Sequence, residues 1–495
     1  MKRIFLPALI VLFPLLSRAG KVYEFNALCQ QAYQEITKLK LNNAQVLLNK
    51  AAQQNPDNLV PVALANYIDF YTLFFNEDPA QYKVFQQQVS RRIALLKQGP
   101  ESSPFYNFYL GMIYLQKAGV AMRFGEKWSA GWDFKRGYGY VKQNKKSFPT
   151  FTPNDLLYGP MQAIVGTIPS GYKWIAGLFG MKGSIKNGMR LIGGFMDSPD
   201  PWARLFFNEA AFLNCYLMFY IANDKDAVFE LIRSRKLDVV NNHLFTYMAA
   251  NLGIHNKMSA YAEEVLNNRN KSPEYLATNA WDYQMSMVKM NQLQLDDAVY
   301  YLEKFLREFR GKSFVKDACQ KLSWSYYLKG NLKSAEAARK RLLASGSTET
   351  EPDKKAQKDA RSGTWPNLLL LRARLLSDGG YHQQALQVLN GKTKNDFQKT
   401  ADQLELVYRL GRIHDDLKQY NEAIYYYQQA IDIGYNRSEY FAARAALQAG
   451  QIYESLGKKS TAIAYYEKCL DMEDHEYEDS IEQRAKAGIQ RCKGE

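Results

Sequence analysis

The chain has 495 residues, 46% of them hydrophobic, with 64 Lys and Arg against 50 Asp and Glu for a formal charge of +14. That is enough length and apolar content for several domain-sized cores. Five scattered cysteines (Cys29, Cys215, Cys319, Cys469, Cys492) exclude a disulfide framework and a zinc site. Four of them read as small buried hydrophobes, and Cys492 as an exposed one.

Residues 1–19 read as a secretory signal. Lys2 and Arg3 precede an apolar run over residues 4–16, and Ser17-Arg18-Ala19 offers small side chains at −3 and −1. The run is shorter than the ~20 residues a membrane-spanning helix needs. Arg18 at −2 leaves an uncleaved anchor as the alternative. Asn26-Ala27-Leu28 before Cys29 does not resemble a lipoprotein box. The expectation is an exported protein, periplasmic or outer-membrane-associated in a Gram-negative cell.

Residues 20–116 read as N-terminal helical repeats. Ala32, Ala44, Leu48, Ala51 and Pro56 fall at positions 8, 20, 24, 27 and 32 of a 34-residue tetratricopeptide pattern, and Leu110, Gly111 and Tyr114 restate its start. Small residues at positions 8 and 20 let two helices approach closely.

Residues 117–200 differ. Twelve Lys and Arg face only Glu126, Asp133 and Asp155 between Lys117 and Met196, so most of the net charge is concentrated here. Aromatics interleave with the cations. Arg123, Lys127, Trp128, Trp132, Lys135, Arg136, Lys142, Lys173 and Trp174 are the candidate contacts to a membrane or anion. Four readings stay open: a structural helical insert with a solvated basic face, an interfacial membrane contact, a nucleic-acid surface, or a site for a soluble polyanion. Export removes most nucleic-acid targets, and none is expected. Nine glycines and four prolines over 149–196 predict short helices joined by tight turns.

Helical periodicity returns over 201–310 as divergent repeats, with Ser286 and Ala298 at positions 8 and 20. Residues 311–495 carry the clearest array. Its copies read Ser323, Tyr326, Gly330, Ala335; Ala373, Leu376, Gly380, Ala385; Gly411, His414, Ala423, Tyr427, Ala430; and Gly450, Tyr453, Gly457, Ala462, Tyr466, Cys469. Residues 345–363 lack apolar periodicity and predict a solvated loop with a helical piece at its middle. The fold class is therefore all-α: a tetratricopeptide-like helical-repeat solenoid with a Gly/aromatic-rich central helical insert.

Stacked helix pairs present a groove that binds partners. Positions 2, 5, 9 and 12 of the first helices place Trp324, Tyr327, Asn367, Arg374, Tyr408, Arg412, Asp415, Arg444 and Gln451 there. Arginine beside aromatics suits a peptide or carboxylate clamp. The competing reading pairs Arg374 with Asp378, and Arg412 with Asp415 or Asp416, along their own helices.

Two resemblances follow. Leu156-Leu157-Tyr158-Gly159, Ile168-Pro169, Leu178-Phe179-Gly180 and Gly188-Met189 resemble a segment of the eukaryotic inclusion-body-clearance tetratricopeptide family, with Phe179-Gly180-Met181-Lys182-Gly183 in place of its G-F-x-G. The phrases Lys316-Asp317-Ala318, Arg372-Ala373-Arg374-Leu375-Leu376, Asp378-Gly379-Gly380-Tyr381 and Tyr408-Arg409-Leu410-Gly411 are similar to exported repeat proteins of Bacteroidetes type. These resemblances imply the fold and export and supply no catalytic residue.

The residues offer little chemistry of their own. His243, His255, His382, His414 and His475 are far apart, and none forms an i, i+4 metal pair. His414, at a repeat position, reads as a packed, hydrogen-bonded ring. No phosphate-loop or nucleophile-elbow signature occurs. No metal, cofactor or enzymatic activity is expected. The rival functions are a carbohydrate-binding component of an envelope uptake assembly, and a hydrolase within the central insert.

Overall fold

The computed structural model describes residues 20–166 and 181–493. The signal-like segment and the Lys173–Trp174 pair lie outside the described residues. Among the described residues every regular element is helical, apart from an isolated bridge between Val22 and Asn58. The chain forms two compact units. Among the described residues, one comprises 20–74, 78–166, 181–223 and 272–276, and the other 75–77, 224–271 and 277–493.

A single turn geometry marks the repeats. Leu39, Lys257, Leu293, Gly330, Gly380, Lys418 and Gly457 take positive φ, each at the centre of the three-residue link between two paired helices. A left-handed residue after a helix reverses the chain while satisfying the last carbonyls. Only at Gly380 does packing itself demand glycine, because a Cβ there would collide with the Lys257 carbonyl.

In the second unit the pairs are His243–His255 with Ser259–Asn268, Ala280–Asn291 with Leu295–Glu308, and Val315–Leu328 with Leu332–Ala344. Leu368–Asp378 with His382–Leu389, Thr400–Asp416 with Tyr420–Gly434, and Phe441–Ser455 with Lys459–Leu470 continue the array. Tyrosine wedges fill the space that the small residues leave. A Cβ on Gly411 would sit 2.6 Å from the Tyr427 ring, and one on Gly450 2.6 Å from the Tyr466 ring. Ala423, Tyr427, Ala430, Ala462, Tyr466 and Cys469 are all fully buried in one cluster.

Three expectations need revision. Cys492 is buried, at 7% exposure, because helix Glu478–Lys493 runs almost to the end of the described chain and lays Ile481, Ala485, Gly488 and Cys492 along one inner face. Residues 345–363 hold a helix, Glu351–Arg361, whose Ala356 and Ala360 pack against Cys319 and Leu342 rather than facing solvent throughout. Buried Asp353 anchors this helix by accepting from the backbone N–H groups of Phe314 (2.7 Å) and Asp317 (3.0 Å).

The third revision concerns glycine over 149–196: the described part holds short helices as expected, but Gly159 and Gly188 lie inside them. In the first unit, Gly137 lies inside the 21-residue helix Lys127–Ser147, and Gly159 and Gly188 lie inside Asn154–Gly166 and Ile185–Met196. They allow close approach instead of breaking helices. A Cβ on Gly188 would lie 2.5 Å from the Gly159 carbonyl, and one on Gly137 would lie 3.0 Å from that of Gly111. The core of this unit is aromatic: Phe25, Tyr33, Phe105, Trp202 and Phe206 meet at ring distances of 4.9 to 6.2 Å. Within it, Tyr33 and Tyr67 both donate to the buried Glu209 carboxyl, whose proton affinity is raised by desolvation.

Candidate functional site

In the second unit, the first helices of three successive pairs line a cavity of about 330 Å³. Leu368–Asp378 contributes Arg374, Ser377 and Asp378. Thr400–Asp416 contributes Tyr408, Arg409 and Arg412, and the start of Phe441–Ser455 contributes Tyr440 and Arg444. Lys257, from the left-handed turn of an earlier pair, and Tyr477, Ser480 and Ile481 near the start of the last helix complete the wall. The helical repeat explains this convergence. Arg374, Arg412 and Arg444 stand on equivalent helices, so the stacking brings them to one wall although they are 70 residues apart in sequence.

Cations outnumber acids here. Arg409 is satisfied by Glu405, which accepts from Nη2 at 2.9 Å and Nε at 3.1 Å, and its guanidinium lies 5.5 Å from the Tyr408 ring. Lys257 donates to Asp416. Arg374 approaches Asp378 at 3.6 Å, and Arg412 approaches Asp415 and Asp416 at 3.7 Å each, distances too long for strong hydrogen bonds. Asp415 instead accepts from the Tyr427 hydroxyl at 2.8 Å and from Gln448 at 3.3 Å. Arg444 has no carboxylate within ion-pair distance among the described residues.

The crowding shows in the proton affinities. Burial, with the nearby Arg412 charge, pushes the Lys257 amine down to about 8 against the pull of Asp416. Burial also lowers Lys225, reinforced by Arg484, Arg412 and Arg444, and it lowers Arg484, again reinforced by Arg444. Five cations (Lys257, Arg374, Arg409, Arg412 and Arg444) thus line the cavity with a single lining acid, Asp378. Such an excess attracts anions.

The groove residues named from sequence divide. Arg374, Tyr408, Arg412 and Arg444 line the cavity. Trp324 adjoins it, its ring 5.4 Å from the Arg374 guanidinium. Asp415 stands behind Arg412. Tyr327 stacks on Trp365 at 4.4 Å, with Arg339 3.6 Å from the Trp365 ring. Asn367 caps its own helix by accepting from Leu369 and Leu370. Gln451 is not among the lining residues. Both intrahelical approaches weighed from sequence, Arg374 to Asp378 and Arg412 to Asp415 and Asp416, are present. His414 accepts or donates at 2.6 Å to Gln419 and stacks on Tyr426.

Sequence reasoning missed Lys257, Arg409, Tyr440, Tyr477 and Ser480. Arg409 was detectable as the neighbour of Tyr408 in an Arg-rich helix. Lys257 and Tyr477 lie outside the first-helix positions, and nothing in their local pattern signals the cleft.

Of the basic contacts named from sequence in the first unit, Arg123 ends Pro104–Arg123, and Lys127, Lys135, Arg136 and Lys142 lie along Lys127–Ser147. Trp128 and Trp132, one turn apart, are 70% and 49% exposed. Lys135 lies 5.2 Å from the Trp132 ring, and Arg123 4.4 Å from that of Phe74. Buried Asp133 pairs with Lys117 at 3.0 Å and Arg136 at 3.6 Å. Lys127 and Lys142 are exposed.

These features define a helical-repeat protein of the tetratricopeptide type, a scaffold fold that commonly mediates protein–protein interaction and is generally non-enzymatic. Residues 402–473 match the family described as tetratricopeptide repeat. A search of curated proteins finds no match. Among solved structures, a monomeric IFIT1 mutant with Gppp-AAAA is similar at 12% identity and a TM-score of 0.36, over 90% of each chain. Yeast Tom70 is similar at 13% identity and a TM-score of 0.26, over 94% of this chain and 95% of that one. The tetratricopeptide domain of P58(IPK) gives 13% and 0.22, over 94% and 96%.

Proposed function

We propose that this chain is a non-enzymatic binding scaffold that holds a protein or peptide partner by seating an anionic segment in the arginine- and tyrosine-lined cleft. The observation that carries this reading is the convergence of four guanidinium groups and Lys257 on one cavity lined by a single acid, Asp378. Buried charge without a matched partner is costly, and an anionic segment relieves that cost. Affinity capture from the native host with wild type and Arg374→Ala/Arg412→Ala tests it. The expected result is loss of a defined partner from the variant, and an unchanged partner set rules the reading out.

Two further parts belong to this proposal. The N-terminal segment exports the chain to a Gram-negative envelope, as its charged start, short apolar run and small residues suggest. The exposed Trp128 and Trp132 beside Lys127, Lys135 and Lys142 favour a second contact, with an anionic membrane face.

A further inference from the structure

We infer that the anionic group seated in the cleft is a phosphate monoester on the bound segment, rather than a carboxylate. This rests on the groove reading above and names its ligand chemistry.

The geometry separates satisfied cations from unsatisfied ones. Glu405 occupies Arg409, and Asp416 occupies Lys257. Asp415 spends its acceptor capacity on Tyr427 and Gln448. Arg374 and Arg412 line the cavity with their carboxylate neighbours no nearer than 3.6 Å, beyond hydrogen-bond range, and Arg444 has no carboxylate within ion-pair distance among the described residues. Three forks from three successive repeats thus border one cavity of about 330 Å³.

A carboxylate is planar, carries one charge and matches a single fork. A phosphate monoester carries about −1.5 to −2 charges at neutral pH and three acceptor oxygens in a pyramidal array. Three guanidinium groups bordering one cavity offer more donors than a single carboxylate can use. Ser377, Ser480, Tyr440 and Tyr477 add neutral hydroxyls to the same wall. The volume lies near the lower end of ligand pockets, which fits one modified side chain and its flanking backbone.

Titration calorimetry of the full chain at fixed ionic strength tests this, with a five-residue capped peptide, Ala-Ala-X-Ala-Ala. X is phosphoserine, serine or glutamate, and inorganic phosphate and glycerol phosphate serve as further arms. The phosphoserine peptide should bind at least about tenfold more tightly than the glutamate peptide. Arg444→Gln should abolish most of that preference at an unchanged melting temperature, since Arg444 has no ion pair to lose among the described residues. Equal affinity for the glutamate peptide overturns the phosphate assignment and leaves the groove reading intact. Undiminished binding to Arg412→Gln/Arg444→Gln places the site elsewhere and overturns it. Binding of inorganic phosphate or glycerol phosphate as tight as that of the phosphopeptide also overturns it, in favour of a small phosphorylated ligand. Failure of all probes, with partner capture still lost in Arg374→Ala/Arg412→Ala, overturns the phosphate assignment alone.

Discussion

The Tyr466 ring is held between two glycines: Cβ atoms on Gly450 and Gly488 would lie 2.6 and 2.5 Å from its carbons. Its hydroxyl donates to Glu454 at 2.5 Å, and Arg491 clamps the same carboxylate at 2.8 and 2.9 Å. The ring can retreat in neither direction. Gly450→Ala gains up to about 1 kcal/mol of helix propensity but overpacks a rigid site at a cost of about 1–3 kcal/mol. The net effect is destabilising, readable as a lower urea midpoint. Lys257 supplies a second prediction, with two signs. Asp416, Asp378, Arg412 and His382 face its amine, which titrates near pH 8. As pH rises from 8, the unfolded chain holds more protons at this site than the folded one. Stability therefore rises with pH until the tyrosines begin to ionise near pH ~10. Anion binding moves the other way: the cleft loses a cation, and affinity for sulfate, a dianion throughout this range, falls about threefold to tenfold between pH 7.5 and 9.5. Lys257→Met should flatten both curves.

The three-residue links between paired helices put the same left-handed residue under different side chains. Lys418 is exposed and adopts φ 60°, a conformation that costs a non-glycine residue about 1 kcal/mol or more. Lys418→Gly should raise stability by roughly 0.5–1 kcal/mol, after the entropy of the more flexible unfolded chain is deducted. Gly457→Ala, at φ 72° in the equivalent turn with open space around its Cβ, should lower it by about 1 kcal/mol. Both are measured by urea denaturation. These links also explain what the sequence made legible. Pairs closed by Gly330, Gly380 and Gly457 announce themselves through glycine at the expected position. The pair closed by Lys257 carries no such mark, so its place in the repeat, and its contribution to the cleft, were not readable. The helix Glu351–Arg361 was visible only as a piece within a loop, because its inner face is built from alanine and a buried Asp353, which give no hydrophobic rhythm. Over 149–196, glycine signalled breaks to a local reading, whereas Gly159 and Gly188 serve contact between two helices, and a single sequence does not encode that separation.

Charge is distributed unevenly over the molecule. The array gathers cations into one cleft, whereas the first unit carries several along the outer face of one helix beside two tryptophans. The two arrangements imply different ligands: a cavity suits a compact anion, and an exposed basic and aromatic face suits an extended anionic surface. Basic residues near such a surface contribute about 1 kcal/mol each and are screened by salt. Reversing three of them should reduce sedimentation with phosphatidylserine-containing vesicles by more than an order of magnitude, and about 0.5 M salt should reproduce the loss in wild type. The choice of residues matters. Arg136 pairs with buried Asp133, so Arg136→Glu would set two acids together and confuse unfolding with lost binding. Lys127→Glu/Lys135→Glu/Lys142→Glu avoids that pair. Trp128→Ala/Trp132→Ala removes the apolar component while preserving the charge, so it should weaken binding without changing its salt dependence. If both variants bind anionic vesicles as wild type does, the basic helix is a solvated structural face, and the cleft is left to account for recruitment.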